Sequence, residues 1–390
     1  MNTSRLFPSR SRLLLGVLLL AVLLLAACGG PTQESWIGVS TDEQQNTLYV
    51  SQGKRVVAIN PASGAVLWEY KDEGATFYAV PTVVDGTVYV GDYSGRMHAI
   101  DANGQQLWRY QPAKRAILGP IEITPKDRVI GGAAVDSDKV FFGLGSRNVV
   151  AVSRTTGQEV WTFTTNHGVW ARPLYMPADP ANGVDRAVVY VTSLDHNLYA
   201  LDAETGDELW HKNLGGAAPG NLVYDAKRQQ VYVGTFASEL LAVDLKSHDI
   251  VARFKADEWL WGSPAFDGDV LYFGDLSGAL YAVRVTESGF EQVWKKSVAE
   301  DGIRATPILT DGLLIVASKD HNVYAVSKED GASRWYLDAM GQVLADLVFV
   351  SGEAGGEEEA GLVVVGTTKG DRRVVALAAN SGEERWVYSD

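Results

Sequence analysis

The side chains best suited to chemistry in this chain are aromatic and cationic. Tyr78, Trp170, Trp261 and Arg304 each stand three residues ahead of a proline (Pro81, Pro173, Pro264 and Pro307), and Arg172 and Trp259 lie beside them. Indole and phenol faces next to guanidinium groups suit flat rings, carboxylates and extended peptides, through stacking and cation–π attraction. Other chemistry is poorly provided for. The six histidines form no ligand set: His196 and His321 occupy matching turns, Asp195-His196-Asn197 and Asp320-His321-Asn322. Repetition at one turn position points to backbone geometry, so no metal site is expected. Phosphate-binding glycine loops, His-Glu-x-x-His and the serine elbow are all missing from the sequence, and no catalytic residue is assigned.

The elements that must hold those side chains come from one phrase written eight times. Its clearest copy runs Val188-Val189-Tyr190-Val191-Thr192, a polar turn, Leu198-Tyr199-Ala200-Leu201-Asp202, then Glu204-Thr205-Gly206 and Glu208-Leu209-Trp210. The alanine recurs at Ala58, Ala99, Ala151, Ala200, Ala242, Ala282, Ala325 and Ala376, 40 to 52 residues apart. Short apolar runs at that period, parted by Gly, Asn, Asp and Ser, predict antiparallel strands in a radial array. A fourth run opens each copy, often at a proline, as in Ser263-Pro264-Ala265-Phe266. The predicted fold is therefore all-β, an eight-bladed propeller of four-stranded antiparallel blades. The first copy owns an inner strand near Gly38-Val39-Ser40-Thr41 and the last ends on Arg385-Trp386-Val387-Tyr388, so closure without a borrowed strand is expected. Its segments begin at one mouth of the central channel, where the aromatic and arginine residues should converge.

A tryptophan follows most of the alanines: Trp68, Trp108, Trp161, Trp210, Trp294, Trp335 and Trp386. These are expected to be inter-blade wedges. Turn glycines Gly64, Gly104, Gly157, Gly206, Gly331 and Gly382 recur with them. The fifth copy departs, with His248 for the glycine and Ala252 for the tryptophan, which predicts a weaker seam. The phrase Ala-x-Asp-x-x-Thr-Gly-x-x-x-Trp resembles the tryptophan-docking motif of the quinoprotein propellers, whose repeat is named after pyrroloquinoline quinone. That resemblance implies the fold across the whole mature chain. Its dehydrogenases carry a vicinal disulfide, calcium-binding acids and sometimes a haem-binding Cys-x-x-Cys-His. Cys28 is the single cysteine here, so quinone and calcium are not expected as cofactors and the chain is read as non-enzymatic.

Arg5, Arg10 and Arg12 precede the apolar run Leu13 to Leu25, which is too short for a comfortable span and suits a signal peptide. The sequence Leu25-Ala26-Ala27-Cys28-Gly29 resembles a bacterial lipobox. Segment 1–27 is thus the expected leader, 28–34 the lipidated cysteine with a short tether, and 35–390 the propeller. Acyl chains on Cys28 would anchor it to the membrane at about 0.8 kcal/mol per buried methylene. Losing a leader with three arginines and no acid takes the net charge from −14 to −17, which disfavours nucleic acid. Two insertions stand out: Pro112 to Val129, with Lys114, Arg115, Lys126 and Arg128 as a basic lip, and a Gly-rich stretch with Glu353, Glu357, Glu358 and Glu359.

In lipobox, size and repeat the chain is similar to the propeller lipoproteins of the outer-membrane β-barrel assembly machinery. The resemblance implies an extracytoplasmic, membrane-anchored scaffold, a monomer within a larger complex, binding envelope proteins or extended peptides through its loops and channel mouth. The alternatives are a quinone-dependent oxidoreductase and an envelope sensor for a small ligand or glycan using the Trp261–Arg304 mouth.

Overall fold

Alternation of β-branched and aromatic residues makes each blade's second and third strands nearly continuous in burial, as in Val188–Thr192 and Asn197–Asp202. A computed structural model describes residues 37–113, 115–118, 121–123, 127–180, 184–352 and 361–389. Cys28, segments 1–27 and 28–34, Lys114, Lys126 and the Glu353–Glu359 cluster lie outside them. Eight four-stranded antiparallel sheets follow in chain order, each pairing its strands consecutively. Blade 1 comprises Gly38–Thr41, Leu48–Gln52, Arg55–Ile59 and Val66–Lys71. Blades 2 to 8 span 82–110, 134–164, 174–213, 223–255, 265–297, 308–338 and 348–388. A separate two-stranded hairpin, Arg115–Leu118 with Ile121–Ile123, sits in the insertion between blades 2 and 3.

The repeated alanine has a specific task. All eight are fully buried, and in seven blades each pairs directly with its tryptophan across the third and outer strands, as in Ala151↔Trp161 and Ala200↔Trp210. Immediately after every alanine the register slips by a bulge. A bulge re-aims the facing side chain, and here the tryptophan is turned onto the following blade. The pairing also explains uneven spacing: Trp294 lies twelve residues after Ala282 because the hairpin is longer, yet the two remain partners.

Six of the seven wedges land on a turn glycine of the next blade. A Cβ on Gly206 would lie 2.6 Å from the Trp161 ring, and the glycine's φ of +77° is itself costly for other residues. The indole N–H of Trp161 donates to the Ala203 carbonyl at 3.2 Å, satisfying a buried donor. Trp108, Trp294 and Trp335 make the same bond to Arg154, Lys328 and Ala379. Blades 8 and 1 close likewise: Trp386 covers Gly64 and donates to the Pro61 carbonyl at 2.7 Å, while each blade keeps its own four strands.

The fifth blade's two substitutions have structural answers. His248 takes the glycine's left-handed conformation (φ 60°) and stacks on Trp210 at 4.3 Å and 19°. Ala252 leaves room into which the lengthened hairpin of blade 6 reaches, with Gly289 over Ala252 and Phe290 in the cluster of Tyr232, Leu240 and Phe254. The seam that lacks a tryptophan is filled by phenylalanine from the adjoining blade.

Candidate functional site: the channel mouth

The channel mouth is set by how each blade begins. The residue before Trp170, Val169, seats against Gly143 of blade 3, where an added Cβ would meet its side chain at 2.2 Å. Ile303 sits in the same way against Gly274, fixing Arg304. From these anchors the chain runs extended, and alternate residues face the axis. One tier holds Tyr78, Ile130, Trp170, Pro219, Trp261, Arg304 and Leu344; two residues on, a second holds Ser40, Val80, Gly132, Arg172, Asn221, Ser263, Thr306 and Asp346. Together they line a cavity of about 550 Å³.

The first tier is aromatic on one side. Pro219 is small, so Trp170 of blade 4 and Trp261 of blade 6 approach to 5.9 Å at 44°. The Arg304 guanidinium lies over the Trp261 ring at 4.3 Å, a cation–π contact. Five of the six residues singled out from sequence therefore line one cavity: Tyr78, Trp170, Arg172, Trp261 and Arg304. Trp259 does not line it. It is 48% exposed and stacks on Phe236 at 4.9 Å, and Phe236 in turn packs on Trp261 at 5.3 Å. Across the mouth Tyr78 meets Tyr93 edge-on at 5.0 Å, and Arg128 stands 5.2 Å over the Tyr93 ring. Burial pushes the Tyr93 phenol up to about 12 against the opposing pull of Arg128. Phe236 and Tyr93 escaped the sequence reading because each sits in a hairpin turn between the second and third strands, away from the proline landmarks.

The second tier is polar and cross-linked between blades. Asn221 Oδ1 accepts the Arg172 N–H at 2.8 Å, Ser263 Oγ accepts the Asn221 N–H at 2.8 Å, and Asp346 Oδ1 accepts the Thr306 N–H at 2.6 Å. Surrounding protein lowers the Arg172 guanidinium pKa, with Asp346 pulling the other way.

Elsewhere several titratable groups are taken up by turns and strand corners. His196 and His321 both have positive φ (74° and 77°) in their turns. Buried Asp275 accepts the Tyr281 hydroxyl at 2.8 Å, and Asp92 faces the His98 Nε2 at 3.3 Å in the equivalent corner of blade 2. A second cavity of about 310 Å³ lies between blades 2 and 3, where Tyr110 donates to Glu159 at 2.8 Å and Asp127 holds Ser146.

The chain matches the family described as outer membrane protein assembly factor BamB over residues 33–168, 148–251 and 237–389. It is 26% identical over 292 residues to the outer membrane protein assembly factor BamB of Yersinia pestis, covering 72% of this chain and 69% of that protein. The quinohemoprotein alcohol dehydrogenase ADH IIB of Pseudomonas putida is 31% identical over 211 residues, 48% of this chain but 26% of the enzyme. Among solved structures, BamB from Moraxella catarrhalis superposes with a TM-score of 0.64 at 17% identity, covering 89% of this chain and 94% of that one. The donor set around the channel does not fit the quinone–calcium group of the dehydrogenases. Asp346 is the one carboxylate among the described residues lining it, and no three His, Cys, Asp or Glu side chains among the described residues gather to hold a metal. By sequence across nearly its whole length, and with an eight-bladed fold to match, the chain belongs to the BamB family of outer membrane protein assembly factors.

Proposed function

We propose that this chain is a non-enzymatic, lipid-anchored envelope scaffold that serves outer-membrane protein assembly by binding protein partners at the channel mouth and surrounding loops. The observation that carries the reading is the aromatic band Trp259–Phe236–Trp261–Trp170 with Arg304 against it, on a chain whose family is named for that assembly. Solvent-facing aromatic and arginine side chains, here one exposed indole continued by half-buried rings and a guanidinium, are the composition of interface hot spots. Anchoring would come through Cys28, whose seven-residue tether 28–34 reaches roughly 20–25 Å at about 3.3–3.6 Å per residue, holding the propeller near the bilayer.

The test places a photoreactive residue at Trp259 in living cells and compares its capture with one at Leu107, exposed on the outer rim of blade 2. The expected result is capture of an outer-membrane assembly subunit or a barrel precursor from 259 alone. Equal capture at both positions, or none at 259, overturns the reading. Cys28→Ser tests the anchor, with release from the membrane fraction expected. Addition of pyrroloquinoline quinone and calcium to purified protein should give no alcohol-dependent dye reduction.

A further inference from the structure

The second tier of the channel places one cation and one anion face to face. Arg172 opens blade 4 and Asp346 opens blade 8, so in an eight-membered ring they stand on opposite walls, close enough for their charges to interact. Among the described residues the Arg172 guanidinium makes no hydrogen bond, although its own backbone N–H is held by Asn221. It is solvent-accessible yet ringed by the strands that line the cavity. Asp346 uses Oδ1 on the Thr306 N–H, and Oδ2 has no hydrogen bond among the described residues. In the tier above them, Trp170 and Trp261 pack on each other and present one indole surface to the cavity. A pair of opposite charges that do not neutralise each other by contact, set beneath an aromatic surface, is complementary to a molecule carrying both charges and an apolar group. The cavity of about 550 Å³ falls within the roughly 300–1,000 Å³ usual for small-ligand sites.

We infer that the channel is a binding site for a small zwitterion with an apolar or aromatic side chain, an α-amino acid or a short peptide with both ends free. Its carboxylate takes the Arg172 guanidinium, its ammonium takes Asp346 Oδ2, and its side chain packs against the Trp170–Trp261 pair. Guanidinium–carboxylate pairs are charge-assisted and directional, which fixes the orientation. This site does not depend on the scaffold reading: a protein that docks partners at its rim can hold a small ligand inside its channel.

The test uses calorimetry and saturation-transfer NMR on the purified propeller with four probes: L-tyrosine, its C-terminal amide, its N-acetyl derivative and tyrosyl-tyrosine. Saturable binding of L-tyrosine or of the dipeptide is expected, and which of the two binds tells the amino acid from the peptide. The amide and the N-acetyl form, each lacking one charge, should bind at least ten-fold more weakly than L-tyrosine. Arg172→Gln and Asp346→Asn should each cost a similar factor while the melting temperature stays within a few degrees. The Asp346 change keeps an oxygen for the Thr306 N–H, and the Arg172 side chain holds no partner whose loss would unfold the ring. Trp261→Leu should weaken the zwitterion without changing the discrimination against the amide. Failure of all four probes to bind at millimolar concentration overturns the inference, as does equal binding of the charged and blocked forms. Neither result touches capture of protein partners from position 259.

Discussion

Replacing Gly206 by alanine tests the wedge-and-glycine seam directly, because the cost divides into two physically different parts. The first is conformational: φ at Gly206 is +77°, and forcing an L-residue there costs about 1–2 kcal/mol. The second is steric: the new methyl would sit 2.6 Å from the Trp161 ring, and overpacking of this kind costs about 1–3 kcal/mol. Gly206→Ala should therefore destabilise by roughly 2–5 kcal/mol. Trp161→Ala, removing a wedge that is 8% exposed, should cost about 3–5 kcal/mol. The two changes share one contact, so they should not add. With the indole gone the methyl has nothing to strike, and Gly206→Ala in the Trp161→Ala background should cost only the conformational part, about 1–2 kcal/mol. Urea unfolding of the four proteins, followed by far-UV circular dichroism, measures the cycle. If Gly206→Ala costs the same with and without the indole, the glycine is required by its backbone alone and the wedge argument fails.

The seams around blade 5 give a second expectation. His248→Ala should destabilise by about 1–2 kcal/mol through loss of the stack on Trp210, whereas His248→Gly should be near neutral, since relief of the left-handed strain offsets that loss. A third concerns pH. Burial pushes the Asp225 carboxyl up, but hydrogen bonds from Arg228 and Tyr232 outweigh it and hold the pKa below the usual carboxylate range. A depressed folded pKa contributes stability that is complete above the unfolded value of about 3.9 and is lost as pH falls through the folded one. Asp225→Asn should lower stability at pH 7 and flatten the acid limb below about pH 4, measured as melting temperature against pH.

Much of the ring was legible because its cause is periodic. Alanine, turn glycine and tryptophan recur together, and each is needed for the same reason in each blade: Ala200 faces Trp210 across a bulge, and Gly206 receives Trp161. The same periodicity marked the channel, since a proline three residues after Trp170, Trp261 and Arg304 gave the mouth position. It misled where geometry departs from sequence distance. Trp259 is two residues from Trp261, but it precedes Leu260, the residue seated against Gly234, so it belongs to the loop leaving blade 5 and its ring lies outside the cavity on Phe236. Asp346 carried no local signal, because its blade begins Leu344-Ala345-Asp346-Leu347 without the proline, and only the equivalence of all eight strand starts reveals it opposite Arg172. Filling of the tryptophan-less seam by Phe290 depended on two extra residues in a distant hairpin, a compensation between blades that composition does not display.

Because blades 8 and 1 share no strand and meet through the Trp386 latch on Gly64, each sheet is made from one uninterrupted stretch of polypeptide. A chain delivered from its N-terminus can finish every sector in turn without waiting for its last residues, and circularisation is the terminal event. The seam at Trp386 is correspondingly where such a ring parts first under load, with eight intact sectors left on a string.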